Sequence, residues 1–528
     1  MTADYVIVGA GTAGCVMAAR LSEEPDVSVI LIEAGASDKK IEVTMPVGYP
    51  KLQKTKRDWQ YYTQPQKHLN NRILFQPRGK MIGGTGSMNG MIYIRGNQLD
   101  FVEWESLGCK GWSFNDVLPY FLTSEDNLNF DNEFHKRGGL LPVKDNEFVH
   151  PLNTAFIKAG KASGFPFNED FNGNSQEGVG YFQSNILGGK RQSTARAFLY
   201  PAMKRKNLRI IKHAEAEKIL IKNKKATGVR IRQKNNREDI LANREVVICC
   251  GAINSPKLLL LSGIGPGHEL NALNIKVEEN LPGVGKNLED HIQFFVGNKC
   301  THPISLNSSL KLSNLYQYFF KKKGIMASAI CSAGGFFKSN PNQSRPDLQF
   351  HFIPGIAGDD INDINAQPKY DGYMLGVTLL RPKSNGTVTL ASKLPEDDPL
   401  IDPDFFSKEK DMTAMRSGYH KAMDVLSQKA FDEFRGEQVK PQKTLNSGFE
   451  ITEFIRATTE SVYHSTGTCK MGADELAVVN PELQIKNLER LRIVDASVFP
   501  TIPSGNINAV IIMVAEKAAD LIKKSRRN

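Results

Sequence analysis

Hydrophobic residues in the first 35 positions fall into three runs separated by small or polar residues. Tyr5–Val8 is a short apolar run with β-branched residues, which predicts a buried strand. Cys15–Leu21 is apolar enough for a helix packed on a sheet, and Val27–Ile32 predicts a second strand that ends at Glu33. This strand–helix–strand order predicts the start of a parallel α/β sheet.

The pattern changes after residue 207, where short β-type runs alternate with polar turns. The runs are Leu208–Lys212, Ala216–Ile221, Thr227–Gln233, Glu238–Ala242 and Glu245–Cys250. They predict an antiparallel meander that returns to the parallel sheet. Gly251–Pro256 predicts a turn, and a helix is expected to begin at Lys257.

A second region between about Cys300 and Ile455 has a different pattern. Leu348–Ile353, Tyr373–Leu380 and Gly386–Leu390 predict strands of an antiparallel sheet, and Lys408–Gln428 predicts a long helix. We therefore expect an α/β chain with a first domain at 1–299, a second at 300–455, and a return to the first at 456–528. Residues 151–185 are expected to join the second domain. A substrate site between the two domains is the default expectation.

Length and composition are typical of a globular protein with more than one domain. The chain has 528 residues, of which 40% are hydrophobic and 23% charged. No apolar run is long enough for a spanning helix, and the first residues lead directly into a strand without a signal-peptide pattern, so a cytoplasmic location is expected. The seven cysteines form no C-x-x-C pair, and neither disulfides nor a metal site is predicted.

The net charge of +10 is spread along the chain except for two clusters, at Lys321–Lys323 and at 523–527. No nucleic-acid-binding signature accompanies them, so no nucleic-acid partner is expected. The first cluster follows the aromatic run Leu315–Phe320. Two interpretations are open: peripheral contact with the anionic inner face of a membrane, or a lid packed on the protein itself.

A glycine-rich turn stands between the first strand and the first helix. Gly9-Ala10-Gly11-Thr12-Ala13-Gly14 is a G-x-G-x-x-G sequence, and Glu33 ends the next strand. Gly9 permits a tight turn, Gly11 permits close approach of a pyrophosphate, and Gly14 permits close helix–strand packing. Glu33 is placed to accept hydrogen bonds from a ribose diol. The motif predicts dinucleotide binding but does not by itself distinguish NAD from FAD.

Four later stretches carry residue types that bind or transform ligands. Arg78–Gly90 concentrates glycines among small hydroxyl residues, which lets backbone approach a flat or charged ligand. Val462–Gly472 is a loop containing one histidine, and Leu491–Val494 is a predicted strand ending in Asp495-Ala496. Pro503–Asn508 leads into a predicted helix, Ala509–Ile522.

Taken together, these stretches resemble the glucose–methanol–choline (GMC) oxidoreductases over nearly the whole chain. Four separate motifs carry the resemblance. They are the N-terminal fingerprint, Gly83-Gly84-Thr85-Gly86-Ser87-Met88-Asn89, the segment Gly251–Gly265, and the pair formed by His464–Thr468 with Gly505–Ala509. The resemblance implies a Rossmann-like FAD-binding domain with a β-meander, joined to an α+β substrate domain built on an antiparallel sheet.

The same resemblance implies that the cofactor is FAD. The helix after Asn506 would point its positive end at the flavin pyrimidine, where reduced flavin carries negative charge. The residues expected around FAD are Gly9, Gly11, Thr12, Ala13, Gly14, Glu33, Ala34, Arg78, Gly83, Gly84, Thr85, Asn89, Gly90, Met91, Ala216, Asp495, Ala496, Ile507 and Asn508.

The catalytic pair of the family corresponds to His464 and Asn506. The implied reaction is oxidation of a primary alcohol to the aldehyde, in which a base takes the hydroxyl proton while hydride moves to flavin N5. Histidine suits the base because its ordinary pKa lies near working pH, and Asn506 is expected to hold the substrate oxygen. A structural, satisfied histidine is the alternative interpretation of His464.

Two departures from relatives narrow the expectation. Met88 stands where some relatives carry a histidine that binds FAD covalently, so non-covalent FAD is expected. Ser332 stands where choline-specific relatives carry a glutamate, so a neutral alcohol is expected rather than choline. Tyr463 is a candidate aromatic wall for an aromatic or long aliphatic alcohol, and His351 is a further candidate substrate residue.

Other activities on the same fold stay open at this point. Fatty acid photodecarboxylases and hydroxynitrile lyases are similar FAD proteins, and a flavin-binding protein without catalysis is a third alternative. Motifs also leave oxidase and dehydrogenase unresolved, because the difference depends on how oxygen reaches reduced flavin. Oxygen and a quinone-like compound are therefore both candidate electron acceptors, and the quinone-like compound is favoured.

Overall fold

A computed structural model of the protein describes residues 1–308, 311–358 and 368–526. Arg527, part of the second basic cluster, lies outside them. The described part of the chain contains two seven-stranded sheets. Their strands are β1 Thr2–Val8, β2 Val29–Glu33, β3 Gly178–Tyr181, β4 Leu208–Lys212, β5 Glu215–Lys222, β6 Lys225–Gln233, β7 Asn236–Ile248, β8 Ile292–Cys300, β9 Ala333–Phe337, β10 Leu348–Ile353, β11 Gly372–Leu379, β12 Arg435–Lys440, β13 Glu460–Ser461 and β14 Leu491–Ile493.

Eight helices of the described chain have eight residues or more. They are α1 Thr12–Leu21, α2 Gln98–Ser106, α3 Phe114–Ser124, α4 Pro151–Ala162, α5 Gly251–Leu261, α6 Glu409–Ser427, α7 Gly448–Thr458 and α8 Asn508–Ser525. Side-chain caps begin several of them: Asn97 with Asp100, and Ser113 with Asp116, form capping boxes. None of the described helices combines the length and the apolar character needed to cross a bilayer.

The first sheet has a parallel centre in the order β4-β2-β1-β7-β14. Residues Tyr5–Val8 pair with Val29–Ile32, and all five residues of β2 are buried, as expected for a sheet covered on both faces. β7 is long enough to change neighbours: its first part pairs antiparallel with β6, and its end pairs parallel with β14. The strand order reverses direction at β1, which places the carboxyl ends of β1 and β7 at a ligand-binding crevice.

The second sheet is antiparallel, in the order β12-β8-β11-β10-β9-β3, with β13 beside β8. Helices α4 and α6 bring apolar residues such as Phe156 and Met415 against it, and these form a separate hydrophobic core. The predicted fold class, α/β with an added antiparallel sheet, is confirmed.

Several element predictions were wrong in detail, and for the strands the reason is that long-range pairing overrides local pattern. Leu208–Lys212 pairs parallel with β2 and is not part of the meander. The predicted strands Glu238–Ala242 and Glu245–Cys250 are one continuous strand that ends at Ile248. The predicted turn at Gly251–Pro256 is the first half of helix α5. Within Gly386–Leu390, only Thr387–Thr389 is a strand, and it pairs with Leu400–Asp402 outside the second sheet.

Candidate active site

A cavity of about 1000 Å³ extends from the carboxyl ends of the parallel strands to the face of the second sheet. Its size is at the upper end of the roughly 300–1,000 Å³ range of small-molecule and cofactor sites. One end is lined by Gly9, Gly11 and Glu33, and the other by Gln293 and His351. The two sheets therefore form one continuous site.

The first glycine-rich turn is shaped by backbone contacts. Gly9 has φ +96°, and a Cβ on Gly14 would lie 1.8 Å from the Gly9 oxygen, so only glycine permits the close helix–strand packing. Gly11 lines the cavity and precedes helix α1, which has no side-chain cap at this end. The backbone N–H groups at the start of α1, and with them the positive end of the helix dipole, are directed at the cavity. Thr12 and Ala13 also line the cavity.

The carboxylate of Glu33 binds two backbone N–H groups beside this turn. One carboxylate oxygen accepts from the Ala10 N–H at 2.9 Å and the other from the Gly35 N–H at 2.7 Å. Burial raises the pKa of Glu33 to about 7. Ala34 and Ala216 also line the cavity.

The second glycine-rich stretch lies directly on the first. Gly83 and Gly84 have φ of +86° and +53°, and a Cβ on Gly84 would be 2.8 Å from the Gly11 Cα. Gly83 shapes the turn without lining the cavity, whereas Gly84, Thr85 and Gly90 line it. The hydroxyl of Thr85 accepts from the Gly79 N–H at 3.1 Å.

Asn89 is held by a buried arginine that the sequence analysis missed. Arg191 Nη1 donates to Asn89 Oδ1 at 2.5 Å, and the Met91 N–H donates to the same oxygen at 3.1 Å. Burial lowers the pKa of Arg191 to about 9. Asn89 and Met91 both line the cavity, and Met91 has φ +64°. Nothing in the local sequence around Arg191 signals this role.

Helix α8 begins at the same cavity. Its preceding residue Ile507 and first residue Asn508 line the wall, and its N-terminus has no side-chain cap. Asp495, after strand β14, accepts from the Gly251 N–H at 2.9 Å and from Ser255 Oγ at 2.6 Å. Burial raises the pKa of Asp495, and Ala496 lines the cavity beside it.

His464 and Asn506, from loops 42 positions apart in the sequence, both line the cavity next to these elements. Burial, followed by the neighbouring His291, His351 and Arg78, holds the pKa of His464 well below its usual range. The backbone N–H of His464 donates to Asp290 Oδ1 at 2.7 Å.

The amide of Asn506 is oriented from the second sheet. Gln349, fully buried on β10, donates through Nε2 to Asn506 Oδ1 at 3.3 Å. The Asn506 side chain also lies within hydrogen-bonding reach of His351, and its Nδ2 can donate to a ligand in the cavity. Neither Gln349 nor Asp290 was predicted, because their roles depend on which strands become neighbours.

Arg78 and Tyr463 complete the wall around His464. Arg78 Nη2 donates to Ser465 Oγ at 2.6 Å, and burial lowers the pKa of Arg78. Tyr463 has φ +66°, an uncommon conformation for a bulky residue, and lines the cavity. This uncommon backbone conformation at Tyr463 sets the direction of the chain at the next residue, His464.

The structure separates the two remaining candidate substrate residues. His351 lines the cavity, its Nδ1 lies 3.0 Å from Thr378 Oγ1, and burial lowers its pKa to about 4. Ser332 is not part of the lining: its hydroxyl accepts from Asn153 Nδ2 at 2.7 Å, behind the wall. Because successive residues of an extended chain point to opposite sides, Cys331 faces the cavity instead.

No group of three or more His, Cys, Asp or Glu side chains arranged to hold a metal ion occurs in residues 1–308, 311–358 and 368–526.

Comparisons with known proteins identify the family of the chain. Two family models, both described as GMC oxidoreductase, match residues 3–293 and 382–515. An oxygen-dependent choline dehydrogenase of Rhizobium etli is 42% identical over 99% of this chain and 96% of its own length. An alcohol dehydrogenase (acceptor) of Pseudomonas putida is 41% identical over 98% of this chain and 95% of its own length.

Solved structures give the same result for the fold. Pyridoxine 4-oxidase from Mesorbium loti superposes with a TM-score of 0.90 at 28% identity, covering 100% of this chain and 99% of that one. A formate oxidase of Aspergillus oryzae, described with its FAD, superposes with a TM-score of 0.93 at 27% identity and the same coverage.

Proposed function

Because this chain belongs to the GMC oxidoreductase family, we propose that it oxidises a primary alcohol to the aldehyde with His464 as the base and Asn506 as the holder of the substrate oxygen. The protein is an FAD-dependent oxidoreductase acting on CH–OH donors. The relatives reported above are named as dehydrogenases and oxidases, which gives the lyase alternatives no support.

The residues present fit FAD. A Cβ on Gly90 would meet no protein atom within 4 Å although Gly90 lines the cavity, so protein packing does not explain the glycine and a bound ligand does. The uncapped N-termini of α1 and α8 would supply N–H donors to the pyrophosphate and the flavin. Met88 supports non-covalent binding.

The residues proposed to hold FAD fall into two groups. The ADP half of FAD would be held by Gly9, Gly11, Thr12, Ala13, Gly14, Glu33, Ala34 and Ala216. The flavin half would be held by Arg78, Gly83, Gly84, Thr85, Asn89, Gly90, Met91, Asp495, Ala496, Ile507 and Asn508.

The bound FAD supplies the hydride acceptor for the alcohol carbon. His464 takes the hydroxyl proton, and its lowered pKa keeps it unprotonated and ready at neutral pH. Asn506 donates through Nδ2 to the alkoxide-like oxygen and orients the carbon. The observation that carries the proposal is that both side chains open on the same cavity as the dinucleotide cradle.

The substrate is proposed to be a neutral alcohol with an apolar body. Among the described cavity-lining residues contributed by the second sheet, none is Asp or Glu, and Phe295, Ile353 and Met374 are apolar. A quaternary ammonium would be buried there without a countercharge. Tyr463 adds an aromatic face. This argues against choline, although several relatives carry that name.

We also propose a cytoplasmic protein that contacts a membrane peripherally and delivers electrons to a quinone-like acceptor. Leu312, Tyr316 and Phe320 are 86%, 54% and 77% exposed beside Lys321–Lys323. Leu315 and Phe319, on the same segment, line the cavity. An apolar surface flanked by lysines and adjoining the cavity suits an anionic membrane and an apolar acceptor. Oxygen is the alternative acceptor.

The division into domains remains a proposal, supported by the sheets. The first sheet takes strands from 2–248 and 491–493, in keeping with a chain that returns to its first domain after 456. Strand β3 and helix α4 associate with the second sheet, which supports assigning 151–185 to it. Strand β8 argues for moving the boundary from 299 to about 291.

The test is anaerobic mixing of the FAD-loaded protein with a panel of alcohols, followed at the flavin absorbance band, and then exposure to air. Bleaching by neutral alcohols, with choline ineffective, is the expected result. Fast recovery in air identifies an oxidase, and slow recovery identifies a dehydrogenase that needs another acceptor. Absence of bleaching by every alcohol, with FAD bound, would refute alcohol oxidation.

A further inference from the structure

His291 lies directly behind His464 and is itself fully buried. Its Nε2 is 3.0 Å from the carbonyl oxygen of Leu380, the residue after strand β11. A carbonyl oxygen only accepts hydrogen bonds, so Nε2 of His291 must carry a hydrogen. Burial lowers the pKa of His291 to about 3, so the ring is neutral near pH 7 and holds one proton. Its Nδ1 is therefore an acceptor.

The contact between His291 and His464 determines which ring nitrogen of His464 carries the proton. The Nδ1 atoms of His291 and His464 are 2.9 Å apart, with the rings near perpendicular at 81°. Since His291 Nδ1 accepts, His464 Nδ1 must donate and must carry the proton of the neutral ring. Nε2 of His464 is then left with its lone pair.

We propose that His291 is a positioning residue that holds His464 in the tautomer whose Nε2 accepts the substrate proton. The proposal rests on the proposed function for its catalytic meaning but not for the tautomer itself. In the proton step, the substrate O–H bond breaks and an N–H bond forms at His464 Nε2. His464 Nδ1–H continues to donate to His291 in both protonation states, so the ring does not reorient.

The choice of a histidine rather than a carboxylate behind the base has a consequence. A carboxylate would attract the imidazolium and raise the pKa of His464. The groups facing His464 are His291, His351 and Arg78, with Asp290 binding its backbone N–H and the hydroxyl of Ser461. A neutral acceptor orients the ring while leaving it unprotonated.

Two further hydrogen bonds hold the chain segments that carry His291 and His464 next to each other. The Val462 N–H donates to the His291 carbonyl at 2.8 Å, and Asp290 accepts from the His464 N–H. The tautomer of His464 is thus set by two successive hydrogen bonds. His291 Nε2 donates to the Leu380 carbonyl, and His464 Nδ1 donates to His291 Nδ1.

The direct test is nitrogen-15 NMR of the histidine-labelled, FAD-loaded protein, with the His464 resonances assigned by comparison with H464A. We expect the Nδ1-protonated tautomer at pH 7. A wild-type protein with the proton on His464 Nε2 overturns the proposal, whether or not any alcohol is oxidised. This readout separates failure of the proposal from failure of the proposed function.

Two variants add a kinetic test. H291F keeps the ring shape without an acceptor, and we expect flavin reduction by alcohol to slow roughly 10²-fold, within the range for loss of general-base catalysis, with KM little changed and FAD retained. H291N places an amide oxygen near the position of Nδ1, and we expect it to restore most of the rate and the Nδ1-protonated tautomer. H420F, at an exposed histidine of α6, is the matched control. Equal loss in H291F and H291N, with the tautomer unchanged in both, refutes the assignment.

Discussion

Thr12 Oγ1 donates to Asn508 Oδ1 at 2.9 Å. The bond joins the first residue of helix α1 to the first residue of helix α8, which are 496 positions apart. Gly86 lies against this junction, and a Cβ there would be 2.5 Å from Thr12 Oγ1. Two uncapped helix N-termini are thereby held side by side at the cavity, and their positive ends act together on an anionic ligand.

T12V removes the donor of this bond while keeping the shape of the side chain. We expect FAD affinity to fall about 2- to 13-fold, because a typical hydrogen bond contributes about 0.5–1.5 kcal/mol. The measurement is titration of the apoprotein by quenching of flavin fluorescence. T44V is the control, since Thr44 Oγ1 donates to the Lys40 carbonyl four residues earlier, a bond within one short helix. An unchanged FAD dissociation constant would show that the helix junction does not contribute to binding.

G90A tests whether the second glycine-rich stretch is shaped by the ligand. A Cβ on Gly90 meets open space in the protein, so the stability of the apoprotein should change by no more than about 0.5 kcal/mol. FAD affinity should fall at least tenfold. Thermal unfolding of the apo form and FAD titration measure the two effects. G448A, at an exposed glycine with similar free space, is the control. A destabilised apoprotein with normal FAD binding would contradict the prediction.

H464A removes the proposed base. Flavin reduction by the best alcohol should slow by about 10²–10⁴-fold, because proton abstraction is lost, while FAD stays bound. Stopped-flow absorbance of the loaded protein gives the rate, and the flavin-to-protein absorbance ratio gives the occupancy. H420A serves as the control. Reduction at the wild-type rate would return His464 to a structural role.

The lowered pKa of His464 sets the direction of the pH dependence. With an ordinary histidine, whose pKa is near 6.5, half of the molecules would be protonated at pH 6.5 and unable to act as the base. Because the surroundings favour the neutral ring, the proton is gained only at lower pH. The rate of flavin reduction should be constant from pH 8 down to 6.5 and decline only below it. An acid limb centred at or above pH 6.5 would contradict this assignment.

The aromatic segment at Leu312–Phe320 can be tested with vesicles. The double variant L312S/F320S removes the two most exposed apolar side chains of the segment. We expect the wild-type protein to sediment with vesicles containing anionic lipid and the variant to lose most of this binding, with flavin reduction by a water-soluble alcohol unchanged. L476S, at a 45% exposed leucine elsewhere, is the control. Equal sedimentation of all three proteins would favour the alternative of a lid packed on the protein.

Residues with a mechanical role inside one short segment were predictable from sequence. Gly9, Gly11 and Gly14 act within a single strand–turn–helix, so their spacing is sufficient to identify them. His291 and Gln349 were not predictable in this way. Each acts on a residue more than 150 positions away, through strands whose pairing no local pattern encodes. Ser332 illustrates the same limit, since one position along an extended segment decides which side chain reaches the cavity.

The pairing of Val246–Ile248 with Leu491–Ile493 has a consequence for biosynthesis. At about 5–20 residues per second, the ribosome releases residues 491–525 roughly 25–100 seconds after residues 2–33. During that interval the nascent chain exposes an unfinished parallel sheet without Asp495 or helix α8. Capture of the flavin by the complete site therefore follows synthesis of residues 491–525.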